Sequence, residues 1–231
     1  MRGIIALAAL VFAACAAQTT QPSPGAGIRA CGDGAMNPDL GPAECRLHAG
    51  DHTLIVRHTE PAADDGTGVV SVDVLDERGG VLQTMTERDI PYYLGVDVQD
   101  VDGDGRGDIV VAIDRGVVNT VSAVWVYSSR AGRFERAGEV SGVVIERTRE
   151  GLIAVPARST AADWSVAFYR LDTDGLHLLA SVDVHGEERD GRIDTTCSLA
   201  SAPGIGSLGL TAPEVEQKFC AEPVAAHVFG S

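Results

Sequence analysis

The sequence predicts an all-β fold, a propeller-like or sandwich arrangement of short antiparallel strands with one short C-terminal helix. Three observations carry that expectation. Runs of β-branched and apolar residues alternate with polar ones, as half-buried strands do. Turn residues separate these runs at roughly 8–12-residue spacing, and no amphipathic helical pattern fills the gaps.

The elements follow in order. Thr53–Val56 is the first apolar run, and Val70-Ser71-Val72-Asp73-Val74 alternates strictly. Gly79-Gly80 turns the chain into Val81–Met85. The run Ile109–Ile113 predicts a strand, followed by Val121–Tyr127 and Arg133–Ala137 with a turn at Arg130-Ala131-Gly132. Val143-Val144-Ile145 and Leu152–Val155 are further candidates, with Glu150-Gly151 between them. Ser165–Leu171 pairs with Leu176–Val182 across Asp172-Thr173-Asp174-Gly175. The helix is predicted at Thr211-Ala212-Pro213-Glu214, a capping box with Pro in the first turn, leading into Val215–Phe219.

The N-terminus reads as a targeting segment. Met1-Arg2 precedes an apolar stretch, Gly3–Ala14, too short to span a bilayer. Small residues then lead into Cys15, in a pattern resembling a bacterial lipobox whose cysteine is lipidated, although Phe12 stands where Leu is usual. Cleavage near Ala13-Ala14 or Ala16-Ala17, releasing a soluble periplasmic or secreted protein, is the alternative. The organisation expected is a lipoprotein-type signal at residues 1–14, a flexible tether at 15–28 and a single β domain at 29–231. The protein is expected in the periplasm, touching a membrane only through a lipid anchor.

Five cysteines are present, and setting Cys15 aside leaves Cys31, Cys45, Cys197 and Cys220, an even set suited to an oxidising compartment. Three pairings are possible. Cys31–Cys45 with Cys197–Cys220 is preferred, because each bond closes a short loop near one end of the domain. No Cys-x-x-Cys pair and no histidine ligand spacing supports zinc. The formal charge of −15 opposes nucleic-acid and anionic-membrane binding and favours basic partners.

The most informative stretch is Asp100-Val101-Asp102-Gly103-Asp104-Gly105-Arg106-Gly107-Asp108. Asp100, Asp102, Asp104 and Asp108 fall at loop positions 1, 3, 5 and 9. Calcium takes six to eight oxygens at roughly 2.3–2.6 Å, and aspartates at alternate positions of a tight loop supply them. Gly105 permits the turn that brings in the Arg106 carbonyl as a further ligand. An EF-hand needs a Glu at position 12 and a helix after it. Val111 stands there, inside a strand, so the EF-hand reading fails. An acidic hairpin turn without an ion accounts for Asp-Gly, but not for aspartate at every second position.

This loop, followed by Asp108-Ile109-Val110-Val111, resembles the calcium loop of FG-GAP/VCBS repeat proteins. Val124–Tyr127, Gly132-Arg133-Phe134, Gly151-Leu152-Ile153, Trp164, Phe168–Leu171 and Gly175–Leu178 follow it in an order similar to small bacterial periplasmic proteins with one such loop. That group includes calcium-binding immunity proteins that inhibit lysozyme-like peptidoglycan hydrolases. The resemblance spans about residues 95 to 184. It implies a calcium-binding module whose partner is a basic lysozyme-like hydrolase or another envelope protein. An envelope scaffold or adhesion lipoprotein with a purely structural calcium is the alternative.

Other constellations point away from chemistry. Gly204-Ile205-Gly206-Ser207-Leu208-Gly209 matches a dinucleotide fingerprint in letters, but follows Ala202-Pro203 and is expected to be a flexible loop. Asp64-Asp65 and Glu187-Glu188 are adjacent carboxylates in turn-like contexts, and no nucleophile elbow occurs, so no catalytic residues and no enzymatic activity are expected. Trp125, Tyr127, Trp164, Phe168 and Tyr169 read as core, whereas Tyr92-Tyr93 beside Pro91 read as exposed interface anchors.

Overall fold

The computed structural model describes residues 27–31, 44–59, 67–91 and 95–229. Cys15 and its lipidation, the 1–14 signal, most of the tether, Asp64-Asp65 and Tyr92-Tyr93 lie outside them.

Thirteen strands form three antiparallel sheets among the described residues. The first sheet holds β1 (Glu44–Ala49), β2 (His52–Thr59), β3 (Gly68–Leu75) and β4 (Val81–Ile90) in that order. The second holds β5 (Val96–Gln99), β6 (Asp108–Arg115), β7 (Thr120–Ser128) and β8 (Arg133–Gly142). The third holds β9 (Glu146–Arg147), β10 (Ile153–Arg158), β11 (Asp163–Asp172), β12 (Gly175–Arg189) and β13 (Arg192–Ser201). Each sheet is an up-and-down meander, the unit from which propeller blades are also built. The sheets pack face to face as in a sandwich, and none closes into a barrel.

The period-2 alternation of side chains sets the layer order. Ile109, Val111 and Ala123 face the first sheet, packing with Leu54, Val72 and Met85. Val110 and Val124, one residue along, face the third sheet and meet Ile153 and Val155. Ala154, Val166 and Phe168 point from the third sheet to the opposite side, onto Val215 and Phe219. The second sheet is therefore buried on both faces, which explains its nearly continuous apolar runs.

Three polar joints tie the layers. Glu87 of β4 is buried and accepts from Trp125 Nε1 at 2.8 Å and from Arg136 Nε at 2.9 Å, both on the second sheet. The Gln83 carboxamide accepts from the Phe134 amide at 2.9 Å and donates to its carbonyl at 2.8 Å, closing part of the β8 edge. Asn119, in the β6–β7 turn, does the same to Arg158 of β10, at 2.8 and 3.1 Å.

The C-terminal helix stands where the sequence places it. It is α2 (Ala212–Cys220), following α1 (Ile205–Leu208) and preceding α3 (Pro223–Ala226). Thr211 and Glu214 form its capping box, with the Thr211 amide and hydroxyl both donating to Glu214 Oε2 at 2.7 Å. Both preferred disulfides are present, Cys31–Cys45 and Cys197–Cys220. Their loops span 14 and 23 residues, and closure of that size stabilises by about 3 kcal/mol each. Among the described residues, no helix is long and apolar enough to cross a membrane.

Three local expectations need correction. Val143-Val144-Ile145 is not a strand. β8 already ends at Gly142, the Val143 amide donates across to the Pro156 carbonyl at 2.8 Å, and Val143 and Val144 are 47% and 45% exposed. Glu187-Glu188 lies in β12 rather than a turn, because β12 runs on well past Val182 to pair with β13. The 204–209 segment holds one helical turn, α1, with the Gly204 amide tied to the Leu179 carbonyl at 3.0 Å. It follows the edge strand of an antiparallel sheet, whereas the dinucleotide fingerprint opens a parallel βαβ unit.

Candidate metal centre

The 100–108 loop connects β5 to β6, so both of its ends are fixed in the doubly buried second sheet. Its aspartates wind the loop locally. The Asp100 carboxylate accepts from the amides of Gly103 at 2.5 Å and Gly105 at 3.1 Å. Asp102 accepts from the Asp104 amide at 2.9 Å, and Asp104 from the Arg106 amide at 2.8 Å. Gly105 takes the left-handed conformation the turn requires, with φ +85°.

Asp108 is the root of the loop. It is 1% exposed, and its two oxygens accept from Val101 at 2.9 Å, Asp102 at 3.3 Å and Tyr127 at 3.0 Å. Carboxylate oxygens of Asp100, Asp102 and Asp108 converge to within 4.8 Å of one another. The Asp104 carboxylate stands outside this group, 4.0 Å from Arg106 Nε. The Arg106 guanidinium lies over the Tyr127 ring, 5.2 Å from its centroid.

Burial dominates the electrostatics, with like-charged neighbours adding to it. Burial pushes the Asp108 carboxyl up to about 6, against the lowering effect of the Tyr127 and Val101 amides. The Asp102 carboxyl is also raised, first by burial and further by the Asp104 and Asp100 charges, while the Arg147 charge acts in the opposite sense. Hard oxygen donors that converge on a loop rooted in a buried sheet fit a hard divalent cation.

A positive group already lies against the loop. A Cβ on Gly103, at φ +76°, would fall on the Arg147 guanidinium, which reaches across from β9 in the third sheet. No sequence signal marks this contact, since Gly103 lies in the β5–β6 loop and Arg147 on the third sheet.

A second acidic group was missed by reading 172–175 only as a turn. Asp172, Asp174 and His177 bring ligand atoms within 4.8 Å of one another. Asp-x-Asp-x-x-His across a hairpin was the available signal. Here the carboxylates have local partners: Arg170 Nε lies 3.0 Å from Asp172, and His177 Nε2 lies 2.9 Å from Asp174, a hydrogen bond that holds the Asp174 carboxyl low. Asp172 and Asp174 line a cleft of about 870 Å³ together with Asp102, Asp104 and Glu135, and with Arg130 and Arg136.

Of the predicted core aromatics, Phe168 is fully buried, while Trp125, Tyr127, Trp164 and Tyr169 are half-buried. No protein-family model matches the chain, and no curated protein matches it. Among solved structures it is similar to one titled "Structure of a Xanthomonas Type IV Secretion System related protein". That likeness has 12% identity and a TM-score of 0.43, over 66% of this chain and 92% of that one.

Proposed function

We propose that the 100–108 loop binds one calcium ion and that the protein works by recognition rather than catalysis. It would act as an exported, Cys15-anchored inhibitor of a basic lysozyme-like peptidoglycan hydrolase. The observation that carries the reading is the convergence of the Asp100, Asp102 and Asp108 oxygens on a loop rooted in the buried second sheet. Asp104 and the Arg106 carbonyl complete the proposed ligand set by their loop positions. The ion would supply divalent countercharge beyond the single charge that Arg147 brings against the loop. The chain's own part is to hold them: Asp108 fastens the loop to β7, and the Asx turns fix its winding. A loop ordered in this way lowers the conformational cost of binding a partner.

Support for the partner is electrostatic. A chain of charge −15, with an acidic cleft beside the loop, complements a cationic protein, and such complementarity raises association rates. Two disulfides suit the oxidising compartment where such hydrolases act.

Calorimetric and thermal-melting titration with calcium tests the first half. Wild type should bind with Kd of roughly 10⁻⁴–10⁻³ M or tighter, and Asp102→Ala with Asp104→Ala should not. Equal responses from the two proteins defeat the reading. For the second half, mature protein should slow cell-wall lysis by a cationic hydrolase, less so after chelation. Unchanged lysis across a panel of hydrolases defeats the inhibitor assignment and leaves calcium binding standing.

A further inference from the structure

Arg147 sits on the two-residue strand β9, at the edge of the third sheet, and its side chain crosses to the second. The guanidinium lies between two glycines. On one side is Gly103 of the aspartate loop, where any Cβ would collide with it. On the other is Gly151 in the β9–β10 turn, where a Cβ would come within 3.3 Å of Nη2. Its backbone register is set by pairing with Ile153, a residue 1% exposed in the core between the two sheets. Its charge falls on Asp102, one of the three converging carboxylates.

We infer that Arg147 is a resident counter-cation of the loop, setting its calcium affinity and coupling its occupancy to the joint between the second and third sheets. The inference rests on the calcium reading above. The physical reason is direct. A guanidinium packed on Gly103, between Asp102 and Asp104 in the loop, relieves carboxylate repulsion when no divalent ion is present. It repels a divalent ion that arrives at the same carboxylates. The empty loop is thereby kept folded, and part of the site's attraction for calcium is spent on opposing that charge. No other residue of the third sheet approaches Gly103 this closely among the described residues.

Calcium affinity by calorimetry and melting temperature in chelator, measured on the full mature protein, separate the two effects. Arg147→Gln should bind calcium roughly three- to tenfold more tightly than wild type, the range expected for one charge removed near the site after screening. The same variant should melt lower than wild type in chelator, and its calcium-induced rise should be larger. Arg147→Lys, which keeps the charge, should return affinity toward the wild-type value. Arg192→Gln, on the distant β12–β13 hairpin, should leave it unchanged and so exclude an effect of net charge alone. If wild type binds calcium and Arg147→Gln binds equally or more weakly, the inference is overturned while the calcium reading stands. If neither protein binds calcium, both fall. Binding by Arg147→Gln alone supports the inference in its strongest form, a guanidinium that blocks the loop.

Discussion

The backbone amide of Tyr127, near the end of the inner strand β7, donates to the Asp108 carboxylate at 3.0 Å. One side chain thus holds the end of the aspartate loop to the neighbouring strand while also accepting from Val101 and Asp102. Position 9 of the loop is an anchor in the structure itself. Asp108→Ala should therefore destabilise the protein by about 2–4 kcal/mol, because buried amides lose their acceptor. Urea denaturation in chelator is the appropriate measurement. A loss seen only when calcium is present would contradict the anchoring role.

Glu87 makes the corresponding link between the first and second sheets. Its oxygens serve the Trp125 indole and the Arg136 guanidinium, and this partnership raises the Arg136 pKa further above its already high ordinary value. Truncation to Ala strands one buried donor and weakens a charge-assisted pair, so Glu87→Ala should cost about 2–3 kcal/mol. Glu87→Gln keeps an acceptor for one of the two and should cost less. Equal stability of Glu87→Ala and wild type in urea would show that the joint contributes nothing.

The contrast between legible and hidden elements has a physical basis. β3 and β7 were readable because one or both faces are buried, so Val70, Val72 and Val74, or Val121 to Tyr127, carry the alternation or apolar run that burial demands. β13 is an edge strand with nearly every residue exposed, and no such pattern forms in Arg192–Ser201. Val143–Ile145 misled for the opposite reason. β-branched residues favour extended backbone, but here they bridge two sheets as a connector. In the candidate site, the aspartate spacing located the loop. The anchoring by Tyr127 and the approach of Arg147 depend on how separate strands and sheets come together, which local sequence does not encode.

The capping box at α2 gives a pH signature. Hydrogen bonds from the Thr211 amide first, and its hydroxyl second, hold the Glu214 carboxyl below its ordinary range. A carboxyl whose folded value lies below the unfolded one stabilises fully above the unfolded value, about pH 4, and loses that contribution as pH falls through the folded value. Glu214→Gln should therefore melt below wild type at pH 7, and the gap should narrow on acidification through that window. Melting curves at several pH values check this. A gap that stays constant from pH 7 downward would mean the carboxylate charge is irrelevant to the cap.

Asn119 offers a test of the joint that aligns the second and third sheets. Its carboxamide accepts from the Arg158 amide and donates to the Arg158 carbonyl, copying one rung of a strand ladder between separate sheets. The pairing matters because the turn that carries Asn119 also exposes Val117 and Val118, at 98% and 45%, and buries little apolar surface of its own. Asn119→Ala removes both bonds from a half-buried position and should cost about 1–2 kcal/mol. Asn119→Asp keeps the acceptor for the Arg158 amide but turns an anion toward its carbonyl. At neutral pH it should be at least as destabilising as Ala, recovering below about pH 4 as the carboxyl gains its proton. Denaturant midpoints for the two variants at pH 7 and pH 4 distinguish a geometric amide joint from simple packing. If Asn119→Asp matches wild type at both pH values, the two hydrogen bonds do not hold the sheets in place.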